Sequence, residues 1–221
     1  MKSTGSYSHV FRLSVANFYF GGKGMKRKIS GFLLAVLMIS GVVLAGVADS
    51  TTIVKTPMVA TVMGDGSGSI VLELVCMRYG IECVNVLDMT AETLGERLEQ
   101  SNGPKTLVIA TGAMTEGDLC TVCGAIEIDI ERELERIEKL IEKARASGLS
   151  IVGLHIEGGI DIAERNFNRS IDAIMPYVDL VLLVTPDEVS SYFKKLSEEK
   201  GTPMIKVDEA LKIGDVLKEL L

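Results

Sequence analysis

Met58-Val59-Ala60-Thr61-Val62-Met63, then Gly64-Asp65-Gly66-Ser67-Gly68-Ser69, then Ile70 through Tyr79 closed by Gly80, is the stretch that decides the fold. The first run is short, uncharged and apolar, as a strand buried on both faces must be. The second is rich in residues that allow a tight turn. The third spaces apolar residues by three and four, the period of a helix, and Gly80 stands where a left-handed C-cap is wanted. Together they spell one β–α unit of a parallel sheet.

The unit recurs along the chain. Strands are predicted at Met58–Met63, Cys83–Leu87, Thr106–Ala110, Ile151–His155, Leu180–Val184 and Met204–Val207. Helices are predicted at Ile70–Tyr79, Ala91–Gln100, Ile130–Ser147, Asn168–Met175, Val189–Lys200 and Ala210–Leu220. Thr90, Asp129 and Asp187 suit N-caps, and Gly148 a second left-handed C-cap. In the third helix Glu131–Glu135, Glu138–Glu142 and Arg132–Arg136 are like-charge pairs and Glu135–Lys139 an attractive one, which reads as a solvated outer face. Strand–helix alternation gives an α/β three-layer sandwich around a mainly parallel five- or six-stranded sheet. The flavodoxin-like order 2-1-3-4-5 with the last strand at the edge is preferred over the Rossmann-like order 3-2-1-4-5-6.

Upstream, Lys26-Arg27-Lys28, the apolar run Ile29–Leu44 and Ala45-Gly46-Val47-Ala48 have the three parts of an export signal. Residues 25–48 are therefore expected to be a signal peptide cleaved near Ala45 or Ala48, and the protein extracytoplasmic. The alternative is an uncleaved anchor, in which residues 29–48 are the sole membrane contact. Residues 1–24 do not fit an export leader. Gly22-Lys23-Gly24 before Met25 resembles a translated ribosome-binding site, so residues 1–24 are expected to be a mis-assigned or disordered leader and synthesis to start at Met25. Residues 49–221 then form a single α/β domain.

Six of the 23 Lys and Arg precede Asp49, and none of the 30 acids does, which leaves 17 basic against 30 acidic side chains, a formal net of −13. Such a surface repels nucleic acid and anionic headgroups, which need clustered cations.

In parallel sheets of this kind a ligand sits beyond the carboxyl ends of the strands. Four turns leave that edge: Gly64–Ser69, the long segment opening Thr111-Gly112-Ala113, His155-Ile156-Glu157-Gly158-Gly159, and Thr185-Pro186-Asp187. Gly64, Asp65, Gly66, Ser67 and Ser69 are the expected cradle for a polar or anionic ligand, through backbone N–H groups and hydroxyls at a helix start. Thr111, Gly112, His155, Glu157 and Gly158 would complete the rim. His155 is the sole His after the leader; with Glu157 it is the candidate acid–base pair, although a lone His ending an apolar strand also suits a structural role. Glu157 and Asp187 could equally cap backbone N–H groups.

Sharper motifs fail on composition. Gly64-x-Gly66-x-x-Ser69 with Asp88 imitates a dinucleotide fingerprint, but its third glycine is a serine. No Gly-Lys-Ser or Gly-Lys-Thr exists for a phosphate loop. The Gly-Asp-Ser turn of small esterases is broken by Gly66, and no His lies near the C-terminus to serve as base. No cofactor and no metal site is expected. Cys120-Thr121-Val122-Cys123 reads as a loop-stapling disulfide, since a thioredoxin-type pair would follow the first strand. Cys76 and Cys83 read as small core residues, or as a pair facing each other across the Gly80 turn.

The stretches Thr111-Gly112-Ala113 through Cys123-Gly124-Ala125-Ile126, Glu131-Arg132-Glu133-Leu134-Glu135-Arg136 and Gly153-Leu154-His155-Ile156-Glu157-Gly158-Gly159 are similar to a family of prokaryotic exported α/β proteins catalogued only as a domain of unknown function. The resemblance covers roughly residues 56–220 and implies an exported α/β domain without assigning an activity. Glu157 stands where that pattern has a glycine, and Cys120 and Cys123 replace small residues.

Three functions remain open: a non-enzymatic binder of a small polar or anionic ligand, a hydrolase or transferase using His155 with Glu157 or Asp65, and an envelope protein-interaction module. The first is preferred.

Overall fold

Runs such as Thr106–Ala110 and Leu180–Val184 carry no charge on either face, so neither face can be left to water and helices must cover both. The computed structural model describes residues 53–64, 66–112, 129–156, 165–185 and 187–221, with backbone alone at 165–167 and 187–189. Six strands, β1 Met58–Val62, β2 Cys83–Asn85, β3 Thr106–Ala110, β4 Ser150–His155, β5 Leu180–Val184 and β6 Met204–Val207, form one sheet in the order β2-β1-β3-β4-β5-β6. Every neighbouring pair is parallel. This is the flavodoxin-like order with the last strand at the edge; the alternative 3-2-1-4-5-6 is excluded.

Helices alternate with the strands: α1 Gly68–Tyr79, α2 Ala91–Leu98, α3 Ile130–Ala146, α4 Arg165–Ile174, α5 Asp187–Lys200 and α6 Lys212–Leu220. Leu72, Val75 and Cys76 of α1 and Ile213 and Leu217 of α6 pack with Met58, Ala60, Val108 and Leu154 on one face. On the other face Leu94, Ile137, Leu140, Ile171 and Phe193 from α2, α3, α4 and α5 pack on Val59, Leu107, Ile109, Ile151 and Leu183. The described residues all fall in one compact unit.

Local punctuation follows the side chains. Gly80 adopts φ 66° and Gly148 φ 73°, the left-handed region where a Cβ is strained. Thr90 accepts from the Thr93 N–H and donates its own N–H to Thr93 Oγ1, a reciprocal cap. Asp129 accepts from Glu131 and Arg132 N–H groups at the start of α3. α1 begins two residues earlier than its apolar period predicts, because Gly68 and Ser69 are already buried against strand ends. β2 stops at Asn85, ahead of the predicted Leu87, whose carbonyl turns to accept from Thr61 Oγ1 at 3.0 Å. At the outer edge of β2 the Asn85 N–H donates to Glu73 Oε1 at 3.0 Å, occupying one donor that could otherwise recruit another strand.

Candidate functional site

Parallel pairing puts all carboxyl ends of the strands on one side. Val62 is in register with Ala110, Ala110 with Leu154, and His155 with Leu183. The turns that begin at Gly64, Thr111, Ile156 and Thr185 therefore leave the same edge. β1 lies between β2 and β3, so the chain departs from it in opposite directions on opposite faces, and the switch point falls between β1 and β3.

The first turn is held from an element far away in sequence. Gly64, at φ 80°, donates its N–H to Glu133 Oε2 at 2.8 Å. Arg136 grips both oxygens of that carboxylate, at 2.9 Å through Nε and 2.7 Å through Nη2. The same guanidinium donates to the Val62 carbonyl at 2.6 Å and the Met89 carbonyl at 2.7 Å. Burial alone would raise the Glu133 carboxyl, but Arg136, the Gly64 N–H and nearby Arg132 together hold it below the usual glutamate range. These contacts correct the sequence expectation for α3. Arg136 and Glu133 are only 12% and 19% exposed, so the Arg132–Arg136 spacing does not describe a solvated face. Glu135–Lys139 is the exposed attractive pair expected, at 2.7 Å. A signal for the clamp existed: Glu133 stands three after buried Ile130 and four before buried Ile137, inside the apolar stripe.

Gly64 thus offers a ligand its turn and not a free donor. Asp65 lies outside the described residues. Gly66 and Ser67 are accessible, and Ser67 precedes α1 without capping it through its side chain. The first turn of α1 holds no acid to offset the positive end of its dipole. Gly68 must be glycine there, since a Cβ would meet Ile156 Cγ2 at 2.9 Å and the Ala110 Cβ at 3.0 Å. The Ser69 Oγ is buried without a hydrogen-bond partner among the described residues.

On the other face Thr111 donates its N–H to the Leu154 carbonyl at 2.9 Å, and its Oγ1 lies 2.7 Å from His155 Nδ1. His155 is wholly buried, its ring centroid 4.8 Å from that of Phe193 in α5. Gly112 follows at φ 145°. Glu157 and Gly158, Cys120 and Cys123, Pro186 and the side chain of Asp187 lie outside the described residues. The described residues of the expected rim leave one edge of the sheet but are divided by it. Gly66, Ser67 and Ser69 belong to the α1 face, with Thr111 and His155 on the α3–α5 face.

A cleft of about 260 Å³ between α3 and α4, lined by Leu134, Glu138, Ile141, Glu142, Asp172, Ala173 and Tyr177, lies away from this edge, toward the amino ends of the strands. Among the described residues no group of three His, Cys, Asp or Glu could hold a metal ion, and no helix is long and apolar enough to cross a membrane. Residues 29–48 are outside that description.

A family model described as "Domain of unknown function (DUF6305)" matches residues 55–221. No curated protein matches the chain by sequence. Among solved structures, an acetyl xylan esterase is similar with a TM-score of 0.33 and 11% identity, over 73% of this chain and 83% of that one. A mutant acetyl-xylooligosaccharide esterase from Geobacillus Stearmophilus gives 0.31 and 16%, over 73% and 80%. The esterase EstA from Pseudoalteromonas sp. gives 0.27 and 11%, over 73% and 93%. Likeness at that level says nothing of this chain's chemistry.

Proposed function

The chain belongs to the DUF6305 family, and from that premise, which carries a fold but no reaction, we propose that it binds a small polar or anionic ligand at the carboxyl edge of its sheet, over the switch point between β1 and β3. The observation that carries this reading is the Ser69 hydroxyl, wholly buried in the first turn of α1 with no partner among the described residues. A hydroxyl left so costs about 1–3 kcal/mol, which a ligand oxygen would recover. Backbone N–H groups of Gly66 and Gly68, at a helix start whose N-cap side chain makes no capping bond, favour an anion beside it. Asp65, Gly112, Glu157 and Gly158 would close the site. In this reading His155 supports Thr111, with its Nδ1 engaged by Thr111 and its ring against Phe193.

The domain works outside the cytoplasm, delivered by residues 25–48. N-terminal sequencing of native protein tests this; a mature chain retaining residues 1–24 overturns it. For the ligand, thermal unfolding is followed with phosphate, sulfate, acetate and citrate as probes. Binding raises the melting temperature of the wild type by mass action and does so less for Ser69→Ala. A Ser69→Ala protein stabilised as strongly as wild type by each probe removes the cradle.

A further inference from the structure

Cys76 ends the buried face of α1, and Cys83 opens β2 across the left-handed Gly80 turn. The turn is closed by Ile81 N–H donating to the Cys76 carbonyl at 2.9 Å and by Gly80 N–H donating to that of Met77 at 3.3 Å. Cys83 pairs with Met58 in β1, and its side chain enters the same core cluster as that of Cys76. Both are free thiols, 0% and 9% exposed, and the Cys76 thiol, more than burial, pushes the Cys83 thiol up.

We infer that Cys76 and Cys83 are the site of a disulfide that locks the last turn of α1 to the edge strand β2. The bond forms by thiol–disulfide exchange with a small-molecule or protein disulfide. Both S–H bonds break, one S–S bond forms, and two electrons and two protons pass to the exchanging disulfide, which leaves as two thiols. Exchange takes place before α1 docks, because the docked Cys76 is out of reach of an oxidant. The lock holds α1, and with it the Glu73–Asn85 contact at the sheet edge, independently of whether a ligand binds.

The full chain is refolded in a glutathione/glutathione disulfide buffer, its remaining thiols are blocked, and it is digested with trypsin without reduction. Cleavage after Arg78 separates the two cysteines. The expected product is peptide 56–78 joined to peptide 79–97, lighter by two hydrogens than the sum of the two. Reduction should also lower the melting temperature of the wild type by several degrees more than that of Cys76→Ala/Cys83→Ala, which keeps Cys120 and Cys123. Recovery of Cys76 and Cys83 both blocked, or of either joined to Cys120 or Cys123, overturns the inference.

Discussion

Arg136 Nη2 lies 2.6 Å from the Val62 carbonyl oxygen, so a side chain of α3 holds the last residue of β1 where the glycine-rich turn begins. With Glu133 on Gly64 the pair fixes both sides of the Val62–Gly64 bend. The candidate cradle is therefore shaped by a helix that comes two strands later in the chain.

Replacing Arg136 by alanine removes the guanidinium from a mostly buried carboxylate and from the Val62 and Met89 carbonyls. The expected loss is about 2–4 kcal/mol in urea unfolding. Arg136→Lys should recover less than half, since one ammonium cannot reach four acceptors in a planar fork. A loss below about 0.5 kcal/mol, the usual size for a surface change, would show the clamp to be passive.

The acid limb of stability should carry the mark of Glu133. Its carboxyl is lowered in the folded protein, so its contribution is complete above the ordinary carboxyl range and is lost as pH falls through the lowered value. Glu133→Gln should be less stable than wild type at pH 7. The gap should begin to narrow as the pH drops below about 4, where an unperturbed glutamate protonates, and close only below the lowered value. Unfolding curves that keep a constant gap down to the acid transition would contradict this.

Gly68→Ala sets two effects against each other. Helix propensity favours alanine by up to about 1 kcal/mol, while overpacking against Ile156 and Ala110 costs about 1–3 kcal/mol. Net destabilisation is expected, and Ile156→Ala in the same chain should relieve part of it. Strict additivity of the two substitutions would mean that the helix start shifts freely and is no rigid cradle.

Thr111 is tested by isosteres. Thr111→Val keeps the volume but removes the hydroxyl that engages buried His155 Nδ1, for an expected loss of about 1–3 kcal/mol. Thr111→Ser keeps the hydroxyl and should lose about 1 kcal/mol, for one buried methyl. Equal losses in thermal unfolding would show that the hydroxyl does not matter to His155.

Elements with a strong period or a dedicated cap were legible along the chain. Thr106–Ala110 reads as a strand because nothing in it tolerates water, and Gly80 and Gly148 stop helices because a left-handed residue is needed there. Two features of the site were not read. The spacing of Arg132 and Arg136 reads as a solvated face, whereas Arg136 turns inward to Glu133 beside the apolar stripe of Ile130 and Ile137. The division of the rim across the sheet was missed although strand alternation contains it: Ala110 and Leu154 face α1, so Thr111 and His155 must face away.

Read alone, the residues dictated alternating strands and helices, the turns at one sheet edge and the places where helices stop, since each rests on neighbours a few positions apart. Contact across the fold was needed to pair Gly64 with Glu133, Val62 with Arg136 and Thr111 with His155. Those partners are 69, 74 and 44 residues apart. No local preference brings such groups together; burial does, because a polar atom taken from water must find whichever partner the packing supplies.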